Sequence, residues 1–236
     1  MRIVVATHNE GKLVEIRRII ADHVGLRSGG IDLVSAGSLG LPDPVETGTT
    51  FQENALLKAR DVAARTGLPA MADDSGLIVD VMGGAPGILS ARWSGVHGDD
   101  AANNRLLLAQ LGDIPDDRRT ARFRCAAALV VPDAQGNVPS ASDPVSPPSY
   151  LVHPGFSLPC QIVAMGDMTG RVTTEPRGTN GFGYDPLFVP DEQEVDSGGT
   201  ALTSAQMTSA RKNAISHRGK AFVALAPAVV ALLDLG

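Results

Sequence analysis

Aromatic residues are scarce in this chain: six Phe, two Tyr and one Trp make up 4% of it. Against that background Phe182, Tyr184 and Trp93 each stand out. Cysteine is scarcer still. Cys125 and Cys160 are too few for a disulfide framework and carry no metal-ligand spacing, which makes a reduced cytosol the default expectation. Cys125 falls on the apolar face of its segment, where an inert buried thiol is expected. Long apolar runs are also missing. The start, Met1 to Ala6, reaches the polar Thr7-His8-Asn9-Glu10 too soon for a signal peptide, and no run is long enough to span a membrane. A soluble, cytoplasmic protein is expected. Positive charge is the minority sign, 20 Lys and Arg against 26 Asp and Glu, for a net charge of −6. That argues against non-specific nucleic-acid binding, which needs a cationic surface. A small anionic substrate stays compatible, since a few cations focused in one place suffice.

What is present is ordinary for a globular protein: 236 residues, 43% hydrophobic and 19% charged, enough for one large domain or two small lobes. Ile3 to Ala6 is a short apolar run, a buried strand. Thr7-His8-Asn9-Glu10-Gly11-Lys12 follows as a polar loop, and Leu13, Ile16, Ile19 and Ile20 recur at helical spacing. A helix N-terminus offers unpaired N–H groups and partial positive charge. With Lys12 in its first turn it suits a phosphate, although an ordinary strand-to-helix connection reads the same way.

Asp32 to Ser35 is a second strand, and Thr50-Phe51-Gln52-Glu53 is a capping box opening a helix to about Thr66, stopped by Gly67. Glu53 therefore has a structural task. Glu46, in the preceding loop, has none. Ala70 to Asp80 carries two adjacent carboxylates, Asp73 and Asp74, before Ser75-Gly76. Strand-like sequence on both sides predicts a tight hairpin with its loop at Ser75-Gly76. Strand alternation keeps both carboxylates from entering one site, so one Asp serves it and the other does not; both capping a turn is the plainer alternative.

Asp99 to Leu111 is a capped helix with Leu106, Leu107 and Leu111 inward, and Ala121 to Val131 a long strand. Pro132 to Pro159 holds seven prolines with almost no periodicity, a long loop insertion reaching to residue 160. Gln161 to Met165 resumes as a strand, and a hairpin is expected around Thr169-Gly170. Three glycines surround Phe182 in Gly178 to Pro186, where backbone can approach a ligand and a ring face be left bare; a Gly-rich turn with Phe182 in the core is the alternative. Leu187 to Val189 is a strand, Asp191 to Thr200 a loose loop, and Thr203 onward is helical through Lys212, ending near Ser216-His217-Arg218-Gly219. A final helix starts at about Lys220, and Pro227 is expected to kink or restart it.

The inventory is a phosphate-suited turn with Lys12, carboxylates at Glu46 and Asp74, an aromatic in a Gly-rich loop, and the cations Lys212, His217 and Arg218. Carboxylates without His or Cys companions prefer a hard ion, so Mg²⁺ is the expected metal. Polyphosphate, Mg²⁺ and a stacking ring describe a nucleotide. The P-loop string is absent, and Gly181-Phe182-Gly183 lacks the context of a dinucleotide fingerprint.

Six motifs then fall in register: Thr7-His8-Asn9-x-x-Lys12, Thr50-Phe51-x-Glu53-Asn54-Ala55-x-x-Lys58-Ala59, Ala72-Asp73-Asp74-Ser75-Gly76-Leu77, Gly84-Ala85-Pro86-Gly87, Gly181-Phe182-Gly183-Tyr184-Asp185-Pro186 and Ser216-His217-Arg218-Gly219. Their order resembles that of the inosine triphosphate pyrophosphatase family, also called dITP/XTP pyrophosphatases or Ham1-like proteins, nearly end to end. The resemblance implies an α/β fold, a long mixed β-sheet with flanking helices forming two lobes around a central cleft, as a single domain and a homodimer. It implies hydrolysis of ITP, dITP or XTP to the monophosphate and pyrophosphate. Carried over by position, Thr7, His8, Asn9, Glu10, Gly11 and Lys12 hold phosphates, Glu46 and Asp74 bind Mg²⁺, Asp74 is the proton acceptor, and Ser75 touches substrate. Phe182, Gly183, Tyr184, Asp185, Lys212, His217 and Arg218 surround the nucleotide, largely its base. One departure is Ala205-Gln206-Met207, where the family often has Glu at the second position. The other readings are a related pyrophosphatase for other modified triphosphates and a nucleotide-binding sensor without turnover.

Overall fold

The structure, a computed structural model, describes residues 1–25, 30–193, 199 and 201–235. The loop expected over 191–200 therefore lies mostly outside the described residues. Six strands form one mixed sheet in the order β2-β1-β3-β4-β5-β6: β1 (Arg2–Val5), β2 (Asp32–Ser35), β3 (Ala70–Val79), β4 (Thr120–Val131), β5 (Cys160–Val172) and β6 (Phe188–Pro190). β1 runs parallel to both β2 and β3, and β6 antiparallel to β5. Ile3, Val4 and Val5 are at most 1% exposed, the continuous apolar run of a strand covered on both faces.

Among the described residues five α-helices accompany the sheet: α1 (Glu10–Val24), α2 (Phe51–Thr66), α3 (Asp100–Gln110), α4 (Ser209–Ile215) and α5 (His217–Leu233). The α2 capping box forms as expected, Thr50 Oγ1 accepting from the Glu53 amide at 3.1 Å while Glu53 accepts from the Thr50 amide at 3.1 Å. Gly67 ends that helix.

The chain divides into two compact units. Unit 1 comprises residues 1–74, 125–166 and 218 onward; its core joins Leu13, Ile16 and Ile20 of α1 to β1, Ala127 and Leu129 of β4, and Phe222, Leu225 and Val229 of α5. Burying each large side chain contributes about 1.5–3 kcal/mol. Unit 2 comprises residues 75–124 and 167–217; Leu77, Leu107, Leu111, Phe123, Met168 and Phe188 form its core, with the Phe123 and Phe188 rings edge to face at 4.8 Å.

Four expectations are corrected. β3 has no hairpin at Ser75-Gly76, and β5 none at Thr169-Gly170; both strands run unbroken. Gly76 is not at positive φ. Gly170 is needed because a Cβ there would overlap the Val189 carbonyl and the Phe188 ring of β6. α5 begins at His217 and continues past Pro227. Val223, whose carbonyl the missing Pro227 N–H would have met, is exposed, so water can satisfy it. Thr203 to Lys212 is not one helix: a short 3-10 turn over Ser204–Gln206 is followed by α4, newly capped by Thr208. In the segment 132–159, a 3-10 turn at Tyr150–Val152 and a single bridge from Ser146 to Ile162 are the regular features.

Candidate active site

In unit 1 the polar site begins at the end of β1. Thr7 Oγ1 accepts the Asn9 amide at 3.1 Å, and Asn9 Oδ1 caps α1 by accepting the Lys12 amide at 3.2 Å. Glu10 and Gly11 are thus the first helical residues rather than loop, and the Glu10 carboxylate accepts from Ser35 Oγ at 2.6 Å. His8 sits 3.3 Å from Asp43. From this turn Lys12 Nζ reaches Asp73, 3.4 Å from each carboxylate oxygen.

Because β3 is continuous, Asp73 and Asp74 point opposite ways. Asp73 is 4% exposed and also takes Arg218 Nε at 3.1 Å; the same guanidinium reaches Glu15 at 3.1 Å. Asp74 faces α2. Its oxygens accept from Asn54 Nδ2 at 3.2 Å and Lys58 Nζ at 3.1 Å, and Lys58 Nζ also meets Glu46 at 2.9 Å. Asn54 and Lys58 are four residues apart on one helix, hence on one face. Glu46 and Asp74 therefore converge on a single ammonium.

The electrostatics separate the two aspartates. Burial would raise the Asp73 carboxyl, but Lys12, Arg218 and Lys58 overcome it and hold it far below the usual carboxylate range. Burial raises Asp74; Lys58 pulls it down, Glu46 pushes it up, and the balance stays above the ordinary value. Burial also penalises the Lys58 charge, yet Asp74, Asp73 and Glu46 outweigh it and raise its pKa. The Lys58 shift reports the carboxylates crowded around its ammonium, and the Asp74 shift chiefly its burial. Among the described residues no group of three or more His, Cys, Asp or Glu gathers to hold a metal. The pair still fits a hard ion that binds through one or two carboxylates and completes its shell with water and phosphate, as Mg²⁺ does.

In unit 2 a pocket of about 120 Å³ is lined by Ser75, Gly76, Phe123, Phe182, Tyr184 and His217, among others. Phe182 is 62% exposed, so its ring is not core. Asp185 shapes the loop, accepting from the Phe182 amide at 2.9 Å and from the Lys212 ammonium. Gly181, at φ +78°, leaves room for that carboxylate, which a Cβ would overlap. Lys212 Nζ lies 5.0 Å from the Phe182 ring centroid. Tyr184 is buried with its hydroxyl donating to the Ser90 carbonyl at 2.9 Å; burial, reinforced by Asp100, pushes its pKa up. His217 stacks on Phe123 at 5.0 Å.

Comparison with known proteins now decides the family. The Ham1 family model matches residues 3–142 and 150–228. The chain belongs to the Ham1 family. It is 64% identical to a dITP/XTP pyrophosphatase of Bifidobacterium longum subsp. infantis over 99% of this chain and 100% of that one. A crystal structure of a nucleoside-triphosphatase / dITP/XTP pyrophosphatase from Mycobacterium abscessus is 43% identical, covering 93% of this chain and 95% of the other at a TM-score of 0.68. A HAM1 protein from Coxiella burnetii is 34% identical over all of both chains, with a TM-score of 0.73.

Within this Ham1 chain, unit 1 holds Thr7 to Lys12, with Lys12 on Asp73, and separately brings Glu46 and Asp74 together on Lys58. Unit 2 gathers Ser75, Phe182, Gly183, Tyr184, Asp185, Lys212 and His217 on one pocket. Arg218, expected near the base, does not line that pocket; its guanidinium is engaged by Asp73 and Glu15. Asp73, the carboxylate left without a site role, is a buried ion-pair partner. Sequence reasoning gave no role to Lys58, Asn54 or Glu15. A signal for the first two was available: at i and i+4 they share the helix face that carries Ala55, Val62 and other buried residues, where polar side chains need partners.

Proposed function

We propose that this protein hydrolyses non-standard purine nucleoside triphosphates, ITP, dITP and XTP, to the monophosphate and pyrophosphate; its Ham1 relatives known as dITP/XTP pyrophosphatases support the reading. The observation that carries the reading is the convergence of Glu46 and Asp74 on Lys58, at 2.9 and 3.1 Å, in the unit that also holds Lys12. The pocket of unit 2 takes the purine.

Asp74 is the proton acceptor for the attacking water. Lys58 and Asn54 hold both its oxygens in place. Lys12 and the N-terminus of α1 stabilise charge growing on the phosphate oxygens and on the departing pyrophosphate. Mg²⁺ belongs to the proposal: Glu46 and Asp74 would hold it, and when bound it supplies charge neutralisation and a more acidic water. The homodimer implied by the family resemblance and the cytoplasmic location expected from the sequence are likewise part of the proposal.

Phe182 stacks on any purine and gives affinity rather than choice. Choice falls to donors in the pocket. Lys212, always a donor when charged, suits a 6-oxo group, whereas the amine of adenine would meet it donor to donor. Each unpaired buried polar group costs about 1–3 kcal/mol, one or two decades of discrimination.

The test incubates purified protein and Mg²⁺ with ITP, XTP, dITP, dATP, dGTP and dUTP and quantifies pyrophosphate. Pyrophosphate from the first three, well above the rest, is expected. None from ITP or XTP would sink the reading. Orthophosphate would mean attack at the terminal phosphorus, and nucleotide binding without turnover would indicate a sensor.

A further inference from the structure

The Phe182 loop is fastened from outside as well as by its own Asp185. At the start of α3, Asp100 Oδ2 accepts the Gly183 amide at 2.7 Å. One turn later Asn104 Nδ2 donates to the Gly183 carbonyl at 3.0 Å. Both polar groups of one peptide residue are thus gripped by two side chains at i and i+4 of a single helix, in opposite hydrogen-bonding senses. Gly183 directly follows Phe182, whose ring is 62% exposed and has little core packing to fix it. An exposed ring is a useful stacking surface only if its backbone is held, because ordering it at binding would cost conformational entropy.

We infer that Asp100 and Asn104 are positioning residues that clamp Gly183 and so preorganise the Phe182 platform for a purine. The inference rests on the reading of the unit 2 pocket as the base site, but the clamp itself does not depend on catalysis. The contact is charge-assisted at Asp100 and neutral at Asn104, so Asp100 carries more of the restraint. Asp100 also sits in the first turn of α3, where an acid favours the helix; its loss must be separated from simple fraying.

Amide hydrogen exchange of peptides covering residues 181–184 reads the clamp in nucleotide-free protein. Asp100→Ala is expected to speed exchange of the Gly183 amide roughly tenfold, the scale of one lost charge-assisted hydrogen bond. Asp100→Asn keeps an acceptor oxygen in the same place and should recover most of the protection. Asn104→Asp keeps shape and helix but turns an acceptor toward the Gly183 carbonyl; it should loosen the loop at least as much as Asn104→Ala. In steady-state assays with ITP, Asp100→Ala and Asn104→Asp should raise KM about five- to tenfold and leave kcat within about twofold, matched by weaker binding of IMP. Wild-type protection in both variants would overturn the clamp. Lost protection with unchanged IMP affinity and KM would overturn its role in base binding. A fall in kcat alone would do the same. If the wild type binds no purine nucleotide, the base-site reading fails while exchange still decides the clamp.

Discussion

Asp73 and Asp74 are consecutive residues of one strand in different electrostatic surroundings. Asp73 meets two cations, Lys12 and Arg218; Asp74 shares one, Lys58, with a second carboxylate. Strand alternation alone sends them to different partners, and the partners set their chemistry. Asp74→Asn keeps size and a hydrogen-bonding oxygen but cannot accept a proton; turnover of ITP should fall at least about 100-fold with nucleotide binding retained. Near-normal rates would move the base elsewhere. Asp73→Asn is a stability variant. It leaves Arg218 short of a buried partner, and breaking such a pair costs about 3–5 kcal/mol. The native pKa of Asp73 is depressed, so the native state binds fewer protons than the unfolded chain in the acid range. The stabilisation is therefore complete above the unfolded value, near pH 4, and is lost as pH falls through the window toward the folded value. Urea unfolding of wild type and Asp73→Asn, metal-free at pH 7, 4 and 3, should show a gap that is widest at pH 7 and narrows at pH 3. A gap independent of pH would show that charge is not its origin.

At the scale of elements, glycine misled the sequence reading twice in the same way. Asp73-Asp74-Ser75-Gly76 and Thr169-Gly170 have turn composition, yet each lies inside a long strand. Gly170 is there for closeness, not for curvature: β6 crosses where a Cβ would stand. Gly170→Ala should therefore destabilise by about 1–3 kcal/mol, the usual cost of overpacking, measured as a lower urea midpoint with unchanged m. An unchanged midpoint would show that β6 yields freely. Elements whose cues are local were legible: the α2 box from Thr50 to Glu53, the stop at Gly67, the apolar face of α1, and in the third helix Leu107 with Leu111 behind it, whereas Leu106, expected inward, is only half-buried and Leu108 packs on the core in its place. Elements decided by distant partners were not. Pro227 carries a strong local signal for a break, but it lies on the exposed side of α5, and burial of Phe222, Leu225 and Val229 on the other side keeps the helix whole. In the site, single motifs told little and their register told much. The pairing of Arg218 with Asp73, 145 residues away, had no local cue at all.

At the scale of the molecule, no linker marks the passage from one compact unit to the other. The boundaries fall inside β3 at Asp74 and Ser75, inside β4 at Arg124 and Cys125, inside β5 at Gly166 and Asp167, and at the start of α5. The Pro-rich segment 132–159 joins β4 to β5 within unit 1. Its residues 143–149 fall outside the Ham1 family match. Ligand binding should register in the stability of the whole chain. A product monophosphate that binds only the native state adds RT ln(1 + [L]/Kd), about 2.7 kcal/mol at 100 times Kd. For a chain of this length that is a rise in Tm of about 5–10 °C. Phe182→Ala separates affinity from folding. Its ring is 62% exposed, so ligand-free stability should change by no more than about 1 kcal/mol, while the shift produced by a fixed concentration of IMP should shrink to a small fraction of the wild-type value. Thermal unfolding of both proteins across an IMP titration, with AMP in parallel, checks this. A variant that melts early without ligand would place Phe182 among the folding residues. An equal IMP shift in both proteins would remove it from the base site.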